Sequence, residues 1–256
     1  MKSHILPTAL CLSVSLSLAA AKPAAKPTAK PPAFILAGDS TTAIQSANGG
    51  GWGTGFLSFL KTPAIGINKG HNGATTASFV SGGDWGVVEE LVSNNTAAGY
   101  EVYVTVAFGH NDQKNTSGIS LAQYQSNLEG LVGDVWGLGG IPLLITPLTR
   151  RAFTTPNNAT DSLHDQRLAT IAAAKATNTT YVDLNKASLK YVDEIGETAA
   201  QTYNLNPNDT THLNDWGSVV FGRLLADLLL VEKPGLGVWF LANETLSEEI
   251  REGVPA

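Results

Sequence analysis

AFILAGDST, residues 33–41, sets the reading of the fold. Five apolar residues run without a polar break, and then a glycine, an aspartate and a serine arrive together. A strand buried on both faces reads this way, whereas a strand with one wet face alternates. The residues that end the run favour turns. The pattern recurs downstream: 64–68 (AIGIN), 101–107 (EVYVTVA), 141–146 (IPLLIT) and 179–184 (TTYVDL) complete a set of five predicted strands. Helical periodicity falls between them, over about 54–61, 84–97, 121–136 and 161–177. A last helix at 215–231 carries Trp216, Val219, Val220, Leu224, Leu228 and Leu229 at helical spacing, with Asn214 or Asp215 placed to cap it. Strands alternating with helices predict an α/β domain whose parallel sheet is covered on both faces.

Outward from that frame, the termini read differently. Met1-Lys2 followed by ILPTALCLSVSLSL (5–18) and Ala19-Ala20-Ala21 has the layout of a secretory signal peptide, residues 1–21. KPAAKPTAKPP (22–32) has nothing to bury and reads as an extended spacer. The ordered domain is expected over 33–256, with a tail from about 233 that Trp239 pins to the core. Cys11 lies in the signal, so cleavage near Ala21 leaves no cysteine for disulfides, thiolate chemistry or cysteine–zinc sites. A formal charge of −6 argues against nucleic acid and anionic membrane surfaces as partners. Sequons at Asn94, Asn115, Asn158, Asn178, Asn208 and Asn243 suit an exported glycoprotein. A secreted monomer is the expectation.

In open parallel sheets, sites form beyond the carboxyl ends of strands. Polar, glycine-containing segments stand there: Gly38-Asp39-Ser40 after the first strand, Gly70-His71-Asn72-Gly73 after the second, and Gly109-His110-Asn111-Asp112 after the third. Thr149, Arg150 and Arg151 follow the fourth. Converging on one rim, they offer what acyl transfer needs: a hydroxyl nucleophile, a base, a group orienting the base, and oxyanion donors. Ser40 fits the first role, His212 the second and Asp209 the third. The Ser40 and Gly73 N–H groups and the Asn111 amide fit the last. Gly-Asp-Ser alone is weak, since about one chain in ten to twenty of this length carries it by composition. Order and strand placement give it force.

AFILAGDST (33–41), INKGHNGATTASF (67–79), VTVAFGHND (104–112) and NDTTHLNDWG (208–217) together resemble the SGNH, or GDSL-type, hydrolases. Within them the GHND form resembles the rhamnogalacturonan acetylesterase group of carbohydrate esterases. The resemblance implies a flavodoxin-like three-layer sandwich with a five-stranded parallel sheet. It also implies removal of acetyl groups from a plant cell-wall polysaccharide, without a cofactor. PLTRRAF (147–153) has no counterpart in that pattern. An SGNH lipase or general carboxylesterase, an acetylxylan esterase, and a non-catalytic glycan-binding protein are the alternatives.

Rival assignments exist within the chain. Asp161 and His164 repeat the Asp-x-x-His spacing, but they read as a helix start, with Asp161 in the first turn and His164 on a solvated face. Gly70 competes with Gly73, and Gly73 is preferred for the Ala74-Thr75 that follows. Asn111 is preferred to Asp112, because a carboxylate would repel an oxyanion. Asp112 and His110 are expected as structural hydrogen-bond partners, and Asp39 as a brace for the turn. Arg150 and Arg151, with Lys114, are candidates to bind acidic sugars, against a plain reading as solvated charge. Trp52, Trp85, Trp136 and Trp216 either stack on sugars or fill the core. His71, His110, His164 and His212 show no ligand-like spacing, so no metal is expected.

Overall fold

The computed structural model describes Met1 and residues 29–256; the expected signal, Cys11 and the spacer up to residue 28 lie outside the described residues. In chain order the strands are β1 (Pro32–Gly38), β2 (Ile44–Ser46), β3 (Gly49–Gly50), β4 (Ile65–Asn68), β5 (Glu101–Ala107), β6 (Ile141–Ile145), β7 (Phe153–Thr155), β8 (Asn158–Ala159), β9 (Thr180–Val182) and β10 (Leu213–Asn214). The helices are α1 (Gly53–Ser58), α2 (Thr76–Ser81), α3 (Asp84–Ala97), α4 (Leu121–Gly137), α5 (His164–Ala176), α6 (Leu184–Ala200), α7 (Asp215–Glu232) and α8 (Glu244–Glu252).

The five predicted strands form one parallel sheet in the order β4-β1-β5-β6-β9. That is the flavodoxin-like arrangement, whose order reverses between β1 and β5 and opens a crevice there. Alternate residues of β1 feed two cores. Phe34 and Leu36 pack with Phe56, Tyr191, Phe221 and Leu225 from α1, α6 and α7. Ala33, Ile35 and Ala37 pack with Val88, Leu128 and Ala173 from α3, α4 and α5. Helices thus cover both faces of the sheet, as the uninterrupted apolar runs require.

Several boundaries differ from the sequence reading. β1 starts at Pro32, and Pro31 O accepts from Glu101 N at 3.0 Å, so the edge of the spacer already belongs to the sheet. The fifth strand stops at Val182 because the Asp183 side chain turns to cap α6, accepting from Lys186 N. α6 itself is unanticipated; Gly196, at φ 76°, interrupts its helical pattern. α5 starts at His164, so Asp161 precedes the helix and Asp165 is its first-turn acid. Asn214 caps α7, accepting from Gly217 N at 2.8 Å. Trp239 packs on the core, and its carbonyl accepts from Lys61 N, which ties down the tail.

Candidate active site

Gly38 ends β1 where a Cβ would lie 2.4 Å from Thr42 Oγ1 and 2.6 Å from Ala107 O, so only glycine fits. The chain then turns sharply: Thr42 N and Ala43 N both donate to Asp39 O at 3.0 Å. Asp39 Oδ1 accepts from Thr41 N and Thr41 Oγ1 at 2.9 and 2.7 Å, bracing the turn. Burial outweighs those bonds and pushes the Asp39 carboxyl up to about 6. Ser40 stands at the apex, 7% exposed.

His212 arrives from the other end of the chain. Its Nε2 lies 2.8 Å from Ser40 Oγ, and its Nδ1 lies 2.8 Å from Asp209 Oδ2. Asp209 Oδ1 accepts from the backbone N–H groups of His212 and Thr211 at 2.9 and 3.0 Å. Partial burial pulls the Asp209 carboxyl upward. The bonds from the His212 backbone and ring and from Thr211 more than offset it, and hold the carboxyl below its ordinary range. An imidazole so placed can take the hydroxyl proton while an ionised carboxylate stabilises the cation that forms.

The loops after β4 and β5 close the other side. Gly73 has φ 79°, the left-handed region that favours glycine, and a Cβ there would meet nothing within 4 Å. Gly70 differs: its Cβ would lie 2.6 Å from Ala43 N, so it is a packing glycine beside the Ser40 turn. Among the described residues, neither the Ser40 nor the Gly73 N–H has a hydrogen-bond partner, which leaves both open to a ligand oxygen. Asn111 Nδ2 donates to Ala74 O at 3.0 Å, and Asn111 Oδ1 accepts from Lys114 Nζ at 2.6 Å. An amide carries two N–H groups, and Ala74 O is the one acceptor Asn111 Nδ2 has among the described residues.

Asp112 meets its expectation, accepting from Thr76 N and Thr76 Oγ1 at 2.9 and 2.6 Å. His110 does not. Its Nδ1 is 3.8 Å from Asp39 Oδ2, beyond hydrogen-bonding length, and neither ring nitrogen has a partner among the described residues. Burial, reinforced by the charge of Arg150, holds its pKa well below the ordinary imidazole value.

Arg151 requires a correction. Instead of meeting substrate it is 0% exposed, inside the loop that carries His212. Its Nε donates to Asn204 Oδ1 at 2.6 Å, one Nη to His212 O at 2.7 Å, and its backbone N–H to Thr210 O at 2.8 Å. Burial pulls its pKa down to about 9, against the opposing pull of Asp209. The sequence showed adjacent arginines after a strand but not which way each would point. Arg150 stays partly exposed, bonded to Thr211 Oγ1 and Ser162 Oγ, with no carboxylate partner among the described residues. The exposed His164, first residue of α5, pairs with Asp161 just before the helix at 3.1 Å. Trp52 and Trp85 are core residues, whereas Trp136 and Trp216 are 48% and 49% exposed. Among the described residues no three His, Cys, Asp or Glu side chains gather as a metal site would.

The model of the GDSL-like lipase/acylhydrolase family matches residues 36–219, which spans every segment of this rim. Two Bacillus subtilis proteins are similar over most of their length. YesY, named a probable rhamnogalacturonan acetylesterase, is 28% identical over 75% of this chain and 89% of its own. RhgT, a rhamnogalacturonan acetylesterase, is 27% identical over 86% of this chain and 96% of its own. The crystal structure of B. subtilis protein YxiM superposes with a TM-score of 0.70 at 21% identity, over 80% of this chain. The chain spans only 58% of that protein's length. With the match running from within β1 to the start of α7, the chain belongs to the GDSL-like lipase/acylhydrolase family, the SGNH carboxylic ester hydrolases.

Proposed function

We propose that the protein is a secreted serine esterase that removes acetyl groups from an extracellular plant polysaccharide, of pectic, rhamnogalacturonan type. The continuous hydrogen-bonded series Asp209–His212–Ser40, at 2.8 Å for each side-chain contact, carries the reading. In it, Ser40 Oγ attacks the ester carbonyl as His212 Nε2 takes its proton, and Asp209 steadies the imidazolium. The oxyanion accepts from the Ser40 and Gly73 N–H groups and from the free N–H of Asn111. His212 returns the proton to the departing sugar hydroxyl, and water repeats the sequence on the acyl-enzyme.

The substrate class draws support from the names of the two B. subtilis relatives and from Arg150. A guanidinium at the rim without a carboxylate partner can clamp a galacturonate carboxylate. Secretion and glycosylation rest on residues 1–21 and on the sequons, of which Asn94, Asn115, Asn158, Asn178 and Asn208 are exposed. Among the described residues no helix is long and apolar enough to cross a membrane. Acetate release should be measured on acetylated pectic polymer, acetylated xylan and a long-chain ester, with Ser40→Ala as control. The expected result is fastest release from the pectic polymer, abolished in the control. Preference for xylan or for the long-chain ester would replace the substrate assignment, and undiminished release by Ser40→Ala would overturn the mechanism.

A further inference from the structure

Lys114 has one side-chain partner among the described residues, and it is not a carboxylate. Its ammonium donates to Asn111 Oδ1 at 2.6 Å, a short, charge-assisted contact. The same loop turns back on itself through Lys114 N donating to Asn111 O at 3.1 Å, which brings the lysine stem alongside the asparagine. At the other end of the amide, Nδ2 donates to Ala74 O, directly after Gly73.

We propose that Lys114 is a positioning residue that orients and polarises the Asn111 amide as an oxyanion donor. This rests on the reading of Asn111 as such a donor. An ammonium can only donate, so it selects the amide orientation in which oxygen faces the lysine and nitrogen faces the reacting carbonyl. Reversed, the amide would set its oxygen against Ala74 O and against the developing oxyanion. A cation on the amide oxygen also draws electron density from nitrogen and makes the remaining N–H a stronger donor. The benefit grows as the oxyanion forms, so it belongs to turnover and not to ground-state binding. Acylation and deacylation both pass through an oxyanion, so either step registers it.

The test uses 4-nitrophenyl acetate, a neutral ester with no carboxylate for a lysine to hold. Lys114→Met should lower kcat about tenfold with KM changed by less than about twofold, and Lys114→Arg should restore most of it. Asn111→Ala alone should lower kcat roughly a hundred- to a thousandfold. Added to Asn111→Ala, Lys114→Met should then cost less than about twofold, since its effect acts through the missing amide. An unchanged kcat in Lys114→Met, or the same loss in both backgrounds, overturns the proposal. So does a loss confined to KM on a uronate polymer, which would make Lys114 a substrate contact. Asn111→Ala with unchanged kcat would instead defeat the oxyanion assignment beneath it.

Discussion

Two histidines make the same short contact with an aspartate three residues earlier, His212 with Asp209 and His164 with Asp161. Only His212 has its second ring nitrogen on a serine hydroxyl. His212→Ala should therefore lower kcat by at least about ten-thousandfold, whereas His164→Ala should stay within about twofold. Steady-state kinetics on one soluble acetyl ester decides between them. The two site aspartates answer to pH in opposite senses. Asp209, held below its ordinary range, contributes stability at neutral pH that is lost as pH falls through its folded value. Asp39 is raised from 3.8 to about 6 by burial, so its contribution is present below pH 4 and lost as pH climbs to about 6. Asp39→Asn keeps an oxygen for Thr41 and removes that loss. Urea unfolding should show the variant gaining about 2–3 kcal/mol on the wild type between pH 4 and pH 7. An equal stability difference at both values would contradict the buried-carboxyl account.

The loop carrying His212 hangs between Asn204 and Leu213, which pair as an isolated bridge, and the guanidinium of Arg151 fills its inner side. Arg151→Met leaves Asn204 Oδ1 and His212 O without that donor, so stability should fall by about 2–5 kcal/mol and activity with it. Arg150→Met, at the rim, should change stability by less than about 1 kcal/mol and raise KM on a uronate polymer only. Thermal unfolding and kinetics of the two variants separate a structural arginine from a substrate-facing one. This is also where the sequence ran out. The strands β1, β5 and β6 were legible because burial on both faces leaves a continuous apolar run, and the polar segments after β1, β4 and β5 because a turn needs glycine. Side-chain direction in a loop has no such signature, so Arg150 and Arg151 read alike. α6 does carry helical spacing, at Leu184, Ser188, Tyr191, Val192 and Ile195 ahead of Gly196, a signal the strand-first reading passed over, whereas β2, β3 and β10 are too short to carry a pattern.

At the scale of the molecule, topology brings Ser40 and His212 together across 172 residues. β1 delivers the serine, and the loop before α7 delivers the histidine, at the crevice where the strand order turns about. The C-terminal tail holds one face of that assembly: Phe240 packs edge-on to Phe34 at 5.7 Å and tilted on Phe56 at 5.6 Å, while Leu236, Leu246 and Ile250 are buried beside it. Each such side chain is worth about 1.5–3 kcal/mol, so ending the chain at residue 233 removes roughly as much stability as a domain this size possesses. Circular dichroism of the truncated chain should show no cooperative melt, and a melt within a few degrees of the full chain would contradict this. The meeting of hydroxyl and imidazole is tested most directly by labelling with a fluorophosphonate ester and mapping the adduct by mass spectrometry. A single adduct on Ser40, lost in His212→Ala, is the expected result; an adduct on another serine, or undiminished labelling of Ser40 without the imidazole, would contradict it.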